Sequence, residues 1–172
     1  MKNVTRTLAL TLALFALAMG VHRACAAGAN AEGFARLKSL VGHWEEQKAT
    51  ESKSTLDIEL TSGGTALLEK FRMVESGKPV EMITMYYLDG EQLKLTHYCM
   101  AGNQPTMRGS YAPQTKTLTF DFEGATNLKS PADGHMHHAV YTFLDNDHFK
   151  TNWTFQKDQK DAFTEDITYV RK

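Results

Sequence analysis

The sequence predicts an all-β fold: an antiparallel up-and-down β-barrel of roughly ten strands behind one short helix. Three observations carry this. Short segments with period-two alternation recur along the chain, as in Leu56-Asp57-Ile58-Glu59-Leu60 and in Leu118, Phe120 and Phe122. Turn signals divide them, above all Asp89-Gly90 and Asp145-Asn146-Asp147. No helix long enough for a parallel crossover lies between them, which excludes a parallel α/β sheet. Closure of such a meander removes exposed strand edges, and a barrel somewhat larger than eight strands leaves room inside for a ligand.

The chain opens with a secretion signal. Lys2 and Arg6 form a basic start, Leu8 to Met19 is apolar apart from Thr11, and Ala24-Cys25-Ala26 fits a small-x-small cleavage site. The apolar run is too short for a permanent membrane helix. Residues 1–26 are therefore expected to leave, and 27–172 to form a single periplasmic or secreted domain. Removing 1–26 takes three basic residues and no acid, leaving 16 basic against 20 acidic residues. No basic run exists, so a nucleic-acid partner is not expected. Cys25 leaves with the signal and Cys99 stands alone, so no internal disulfide forms.

Residues 27–31 read as a small-residue tail. Phe34, Leu37, Leu40 and Val41 recur at helical spacing until Gly42, predicting a short amphipathic helix. Strands follow: Trp44 to Ala49, Leu56 to Leu60, Ala66 to Met73, Met82 to Leu88, Gln92 to Cys99 and Thr106 to Tyr111. The rhythm continues with Thr117 to Glu123, His138 to Leu144, Phe149 to Phe155 and Phe163 to Val170. The longest irregular piece is Gly124 to Gly134.

Leu93, Leu95, His97 and Cys99 share one face of their strand, and the two leucines mark it as the inner one. An imidazole and a thiol then point inward. They serve either as polar anchors in an apolar pocket or as a satisfied core histidine beside a small hydrophobe. Asn103-Gln104-Pro105 with Arg108 reads as a gate at the barrel mouth, or as an ordinary turn before an edge proline. Leu95, Phe120 and Phe122, with Trp44 and Trp153, are expected as core or pocket walls. Six methionines remain after residue 26, without a clustered copper-binding series; flexible side chains lining an adaptable apolar pocket explain them.

His135-Met136-His137-His138 offers a second reading. His135 and His137 share one strand face and can chelate one ion, with His97 or Cys99 completing a shell; His138 lies on the other face. The alternative to a rim of polar residues is thus a copper, zinc or haem site. Enzyme motifs are missing: no phosphate loop, dinucleotide fingerprint, nucleophile elbow or His-Glu-x-x-His is present.

Leu40-Val41-Gly42-His43-Trp44 resembles the Gly-x-Trp opening of lipocalins and related calycin barrels. That resemblance implies a Trp44 packed across the barrel base and an Arg171 stacked upon it as a cation–π pair. The stretches Thr84 to Gly90, Leu95 to Cys99 and Asn103-Gln104-Pro105 resemble exported bacterial lipocalin-like proteins of uncharacterised function. Nitrobindin-type haem barrels are also similar in outline and use a histidine near the chain end. Here Phe163 to Lys172 contains none, and His148, the last histidine, falls at a predicted turn. The reading that follows is a small, mainly hydrophobic ligand held near His97 and Cys99, with no resident cofactor and no catalytic residues assigned.

Overall fold

The computed structural model describes residues 28–47 and 53–172. The expected secretion signal lies outside the described residues. A helix, α1, spans 28–38. Ten strands follow: β1 (Gly42–Glu46), β2 (Thr55–Thr61), β3 (Ala66–Glu75), β4 (Lys78–Asp89) and β5 (Gln92–Tyr98), then β6 (Gln104–Ala112), β7 (Thr117–Thr126), β8 (His135–Phe143), β9 (His148–Lys157) and β10 (Lys160–Arg171). Each pairs antiparallel with its neighbour in sequence, and β1 pairs with β10, so the meander closes into a barrel. Closure is short, running from Trp44 opposite Arg171 to Glu46 opposite Tyr169.

The helix differs from expectation at both ends. It already occupies 28–31, inside the expected tail, and stops at 38, before Leu40 and Val41. Asn30 anchors this first described part: it is buried, and its Nδ2 donates to Glu91 O in the β4–β5 turn at 3.0 Å. Leu40 still packs into the core, whereas Val41 is exposed.

We call the end reached by α1 the base. There Phe34, Leu37 and Leu40 meet Trp44, Leu93, Tyr111 and Phe149 in one apolar cluster. Trp44 is fully buried, stands edge-on to Phe149 at 4.7 Å, and donates from Nε1 to Leu40 O at 2.7 Å. The Arg171 guanidinium lies 4.1 Å from the Trp44 ring centre, as the resemblance implied. Its other donors reach Val41 O at 3.0 Å, Ser39 O at 2.9 Å and Asn146 O at 3.1 Å. Gly42 makes this possible. Its φ of +141° is one that side-chain-bearing residues rarely adopt, and a Cβ there would lie 2.9 Å from Arg171 Nη1. The glycine of Gly-x-Trp is thus where the arginine passes.

At the opposite end the strands run into the turns at 76–77, 99–103, 127–134 and 158–159. The wall between β5 and β6 is paired only from Lys94 to Thr96. This end is the mouth.

Candidate functional site: a polar floor beneath a methionine-lined mouth

Three inward-facing residues form one row across three strands. Glu69 of β3 is the cross-strand partner of Thr84 of β4, and Thr84 is the partner of His97 of β5. Each follows apolar inward neighbours in alternation: Leu67 before Glu69, Met82 before Thr84, Leu95 before His97. All three are buried, with exposures of 3%, 2% and 4%. Polar groups so deep require partners. Tyr86, two residues beyond Thr84, donates to Glu69 Oε2 at 3.0 Å. Tyr141 reaches across from β8 to the same oxygen at 3.2 Å, and the two tyrosine hydroxyls lie 2.5 Å apart.

Burial dominates the electrostatics. It raises the Glu69 carboxyl from the usual 4.5 to about 7, against the opposing pull of hydrogen bonds from Tyr86, Tyr141 and Thr84. Burial also drives the Tyr86 and Tyr141 phenols well above their ordinary range, and the neighbouring Glu69 charge adds to it. The His97 imidazole is lowered to about 4 by burial, so it is neutral at pH 7. Its Nδ1 lies 3.0 Å from Thr84 Oγ1, while Nε2 is buried without a hydrogen-bond partner. The ring sits 5.1 Å from Trp153.

Glu69, His97, Tyr141, Thr151 and Trp153 border a cavity of about 30 Å³, which is room for one or two waters. Met82 and Met136 border this cavity and also a second, wider space of about 560 Å³. Met73, Met100, Phe155 and Phe163 complete the apolar wall of that space. Met100 and Phe163 stand at its rim, with exposures of 57% and 52%. Four of the six methionines beyond residue 26 therefore meet at the mouth.

The other residues singled out from sequence fall into distinct places. Cys99 lies one residue past the strand, which ends at Tyr98, and still packs against the core in phase with His97; the chain then turns, with Gly102 N donating to Cys99 O at 2.9 Å. The half-buried thiol borders the mouth, accepts from Ala101 N at 3.5 Å, and is pushed up by burial. Asn103 is a strut: it is buried, and its Nδ2 donates to Gly134 O at 2.8 Å, tying two mouth turns together. Arg108 lies on the outer wall, not beside the mouth, and pairs with Glu123 at 2.5 Å. Leu95 and Phe120 are fully buried core residues and border neither space. Phe122 packs on His135 and His137, with ring centres 4.5 Å and 5.1 Å away.

The histidine segment divides. A bulge between Met136 and His138 breaks the simple alternation. It turns Met136 into the barrel and leaves His138 outside, bonded to Asp121 at 2.8 Å. His135 is buried, and its Nε2 lies 3.2 Å from His137 Nδ1. Neither His97 nor Cys99 joins them: among the described residues, no group of three or more His, Cys, Asp or Glu side chains is arranged to hold a metal ion. His148 begins β9 and bonds to Asp145 at 3.0 Å.

Sequence reasoning passed over Glu69. Its signal was available: Leu67, Glu69 and Phe71 share one face of a strand, so an acid falls between two apolar residues on the buried side.

No family model matches the sequence, and no curated protein sequence matches it. Among solved structures it is similar to Rv2717c from M. tuberculosis, with a TM-score of 0.55 and 13% identity over 80% of this chain and 95% of that one. A protein with unknown function from the DUF3598 family of Nostoc punctiforme PCC 73102 aligns at a TM-score of 0.43 and 11% identity, over 79% of this chain and 49% of that one. The first likeness supports the barrel fold alone; the second is too distant to bear on it. No helix among the described residues is long and apolar enough to cross a membrane.

Proposed function

We propose that this protein is an exported, calycin-like barrel that binds a small, mainly hydrophobic molecule in its mouth. One observation carries the reading. A space of about 560 Å³, walled by four methionines and two phenylalanines, opens at one end of a barrel whose other end is plugged. Binding sites for small molecules are concave, mostly apolar and furnished with a few polar groups. Thioether side chains have three rotatable bonds and repack around varied shapes. The ligand's apolar body rests among Met73, Met100, Phe155 and Phe163, while Met82 and Met136 separate it from the polar floor.

Titration with the neutral dye Nile red tests this. The expected result is a blue-shifted, saturable emission, weakened about tenfold or more in Met136→Asp, which brings a charge into the apolar wall. A linear, non-saturating signal that Met136→Asp leaves unchanged would sink the proposal.

A second reading rests on the 3.2 Å approach of His135 Nε2 to His137 Nδ1. Two imidazole nitrogens at this spacing can share a proton or a divalent ion such as zinc or copper. Metal analysis of protein purified without an affinity tag, before and after zinc loading, decides it. One zinc per chain taken up on loading and lost in His137→Ala supports the site, and no uptake removes it.

A further inference from the structure

The polar floor discriminates among ligands, because it offers a lone pair and no cation. Among the described residues bordering the two spaces there is no Lys or Arg, but there are three glutamates: Glu69, Glu75 and Glu165. An anionic head group finds no partner there and meets like charge.

Across the row Glu69–Thr84–His97, Thr84 has one hydroxyl proton and two neighbours to share it with: its cross-strand partner Glu69 and His97 Nδ1, 3.0 Å from its Oγ1. With Glu69 ionised, the carboxylate is the stronger acceptor and draws the hydroxyl proton. The hydroxyl oxygen then accepts from His97 Nδ1–H. A neutral imidazole protonated at Nδ1 has a bare lone pair at Nε2. That nitrogen is buried, unpartnered and in a ring that borders the cavity below the mouth. A donor that satisfies it removes the cost of an unpaired buried acceptor.

We infer that the ligand's buried end is an uncharged hydroxyl, an alcohol or phenol, which donates to His97 Nε2 after Met82 and Met136 swing aside. This rests on the apolar-ligand reading above and narrows it. A full ammonium charge is less suited, since stripping its water in so small and buried a space costs far more than stripping a hydroxyl's. A carboxylate is rejected twice, by the bare lone pair and by Glu69, which borders the same cavity.

The test compares 1-decanol, decyl methyl ether and decanoate as ligands of the full protein at pH 8, above the Glu69 value of about 7. Calorimetry or displacement of Nile red reads the affinities. Decanol is expected to bind about tenfold tighter than the ether, the worth of one buried hydrogen bond, and decanoate weakest of the three. In His97→Phe the alcohol is expected to lose its advantage over the ether. Because that variant risks misfolding, nitrogen-15 spectra of the unaltered protein give an independent readout. They should show Nδ1 protonated and Nε2 bare, with Nε2 shifting on addition of decanol.

Equal affinities for alcohol and ether, decanoate binding as tightly as decanol, or a protonated Nε2 would each overturn the inference and leave the apolar pocket standing. In the first case the nitrogen serves only a water. Failure of all three compounds and of the dye to bind would remove the pocket reading, and this inference with it.

Discussion

The base and the mouth of this barrel are made of the same ten strands but solve opposite problems. At the base, Trp44, Phe149, Leu93 and the helix residues Phe34 and Leu37 fill the interior, and Arg171 covers the tryptophan. Each of the three guanidinium nitrogens donates to a backbone carbonyl, of Asn146, Val41 and Ser39. At the mouth, the wall is flexible methionine and partly exposed phenylalanine, and the floor is a carboxyl, two phenols and an imidazole. The base is close-packed and intolerant of change. The mouth is adaptable above and electrostatically tuned below. Close packing is concentrated at one end, and the wide apolar space lies at the other.

Substitutions can break or sharpen this contrast. The largest effect is expected at the base. Trp44→Ala removes a fully buried indole and leaves a cavity, costing roughly 3–5 kcal/mol in urea unfolding. A loss below about 1 kcal/mol would mean the base is not the stable end.

The floor comes next, and it shows in pH dependence. Glu69 titrates near 7 in the folded protein and near 4.5 when unfolded, so between these values the native state alone keeps its proton. Stability from Glu69 is full below pH 4.5 and falls as pH rises to 7. His97 titrates near 4 when folded and 6.5 when unfolded, so there the unfolded chain alone takes the proton. Stability from His97 is full above pH 6.5 and falls as pH drops to 4. Each contributes about 3 kcal/mol across its window, and the slopes oppose. The wild-type protein is therefore expected to be nearly flat between pH 4.5 and 6.5 as far as these two groups act. Glu69→Gln should expose a rise in stability with pH, and His97→Phe a fall. Urea midpoints at half-unit pH intervals check both signs.

A smaller loss is expected from Arg171→Ala. It removes a cation–π contact and three bonds to carbonyls, about 2 kcal/mol. Arg171→Lys should recover only part of this, because an ammonium cannot spread over the same acceptors. At the mouth, Met136→Leu should change stability by less than about 1.5 kcal/mol, since its volume is kept. A larger loss there would mean that the mouth is packed as rigidly as the base.

The fold was legible because its signals are local. Asp89-Gly90 makes its hairpin, with Gly90 at φ +59°, and Leu118 and Phe120 face inward as their alternation requires. The clasp of Arg171 on Trp44 was legible only through resemblance, since the two lie at opposite ends of the chain. The site was legible in part. His97 faces inward as its leucine neighbours demand, but its partner Thr84 belongs to another strand, and register across strands is not written in either segment alone. Cys99 keeps its inward phase although the strand ends at Tyr98, but its thiol reaches the mouth and not the cavity that His97 borders, a separation that alternation alone does not show. Arg108 misled because nearness in sequence to a mouth turn does not say which way a side chain points. The bulge at Met136 to His138 shifts phase at one position, and period counting cannot anticipate it.

The closing strands raise a matter of timing. Arg171 bonds to Val41 across 130 positions, and β10 is the last strand of the sequence. Nine of the ten seams in the wall are hairpin-like neighbours that can zip locally, whereas the β1–β10 seam must wait for the whole meander. Until it forms, the sheet has two bare edges, the kind of surface on which one chain pairs with another. Slow closure would thus appear as concentration-dependent loss on refolding, and shortening the chain by its final residues should turn a transient hazard into a permanent one.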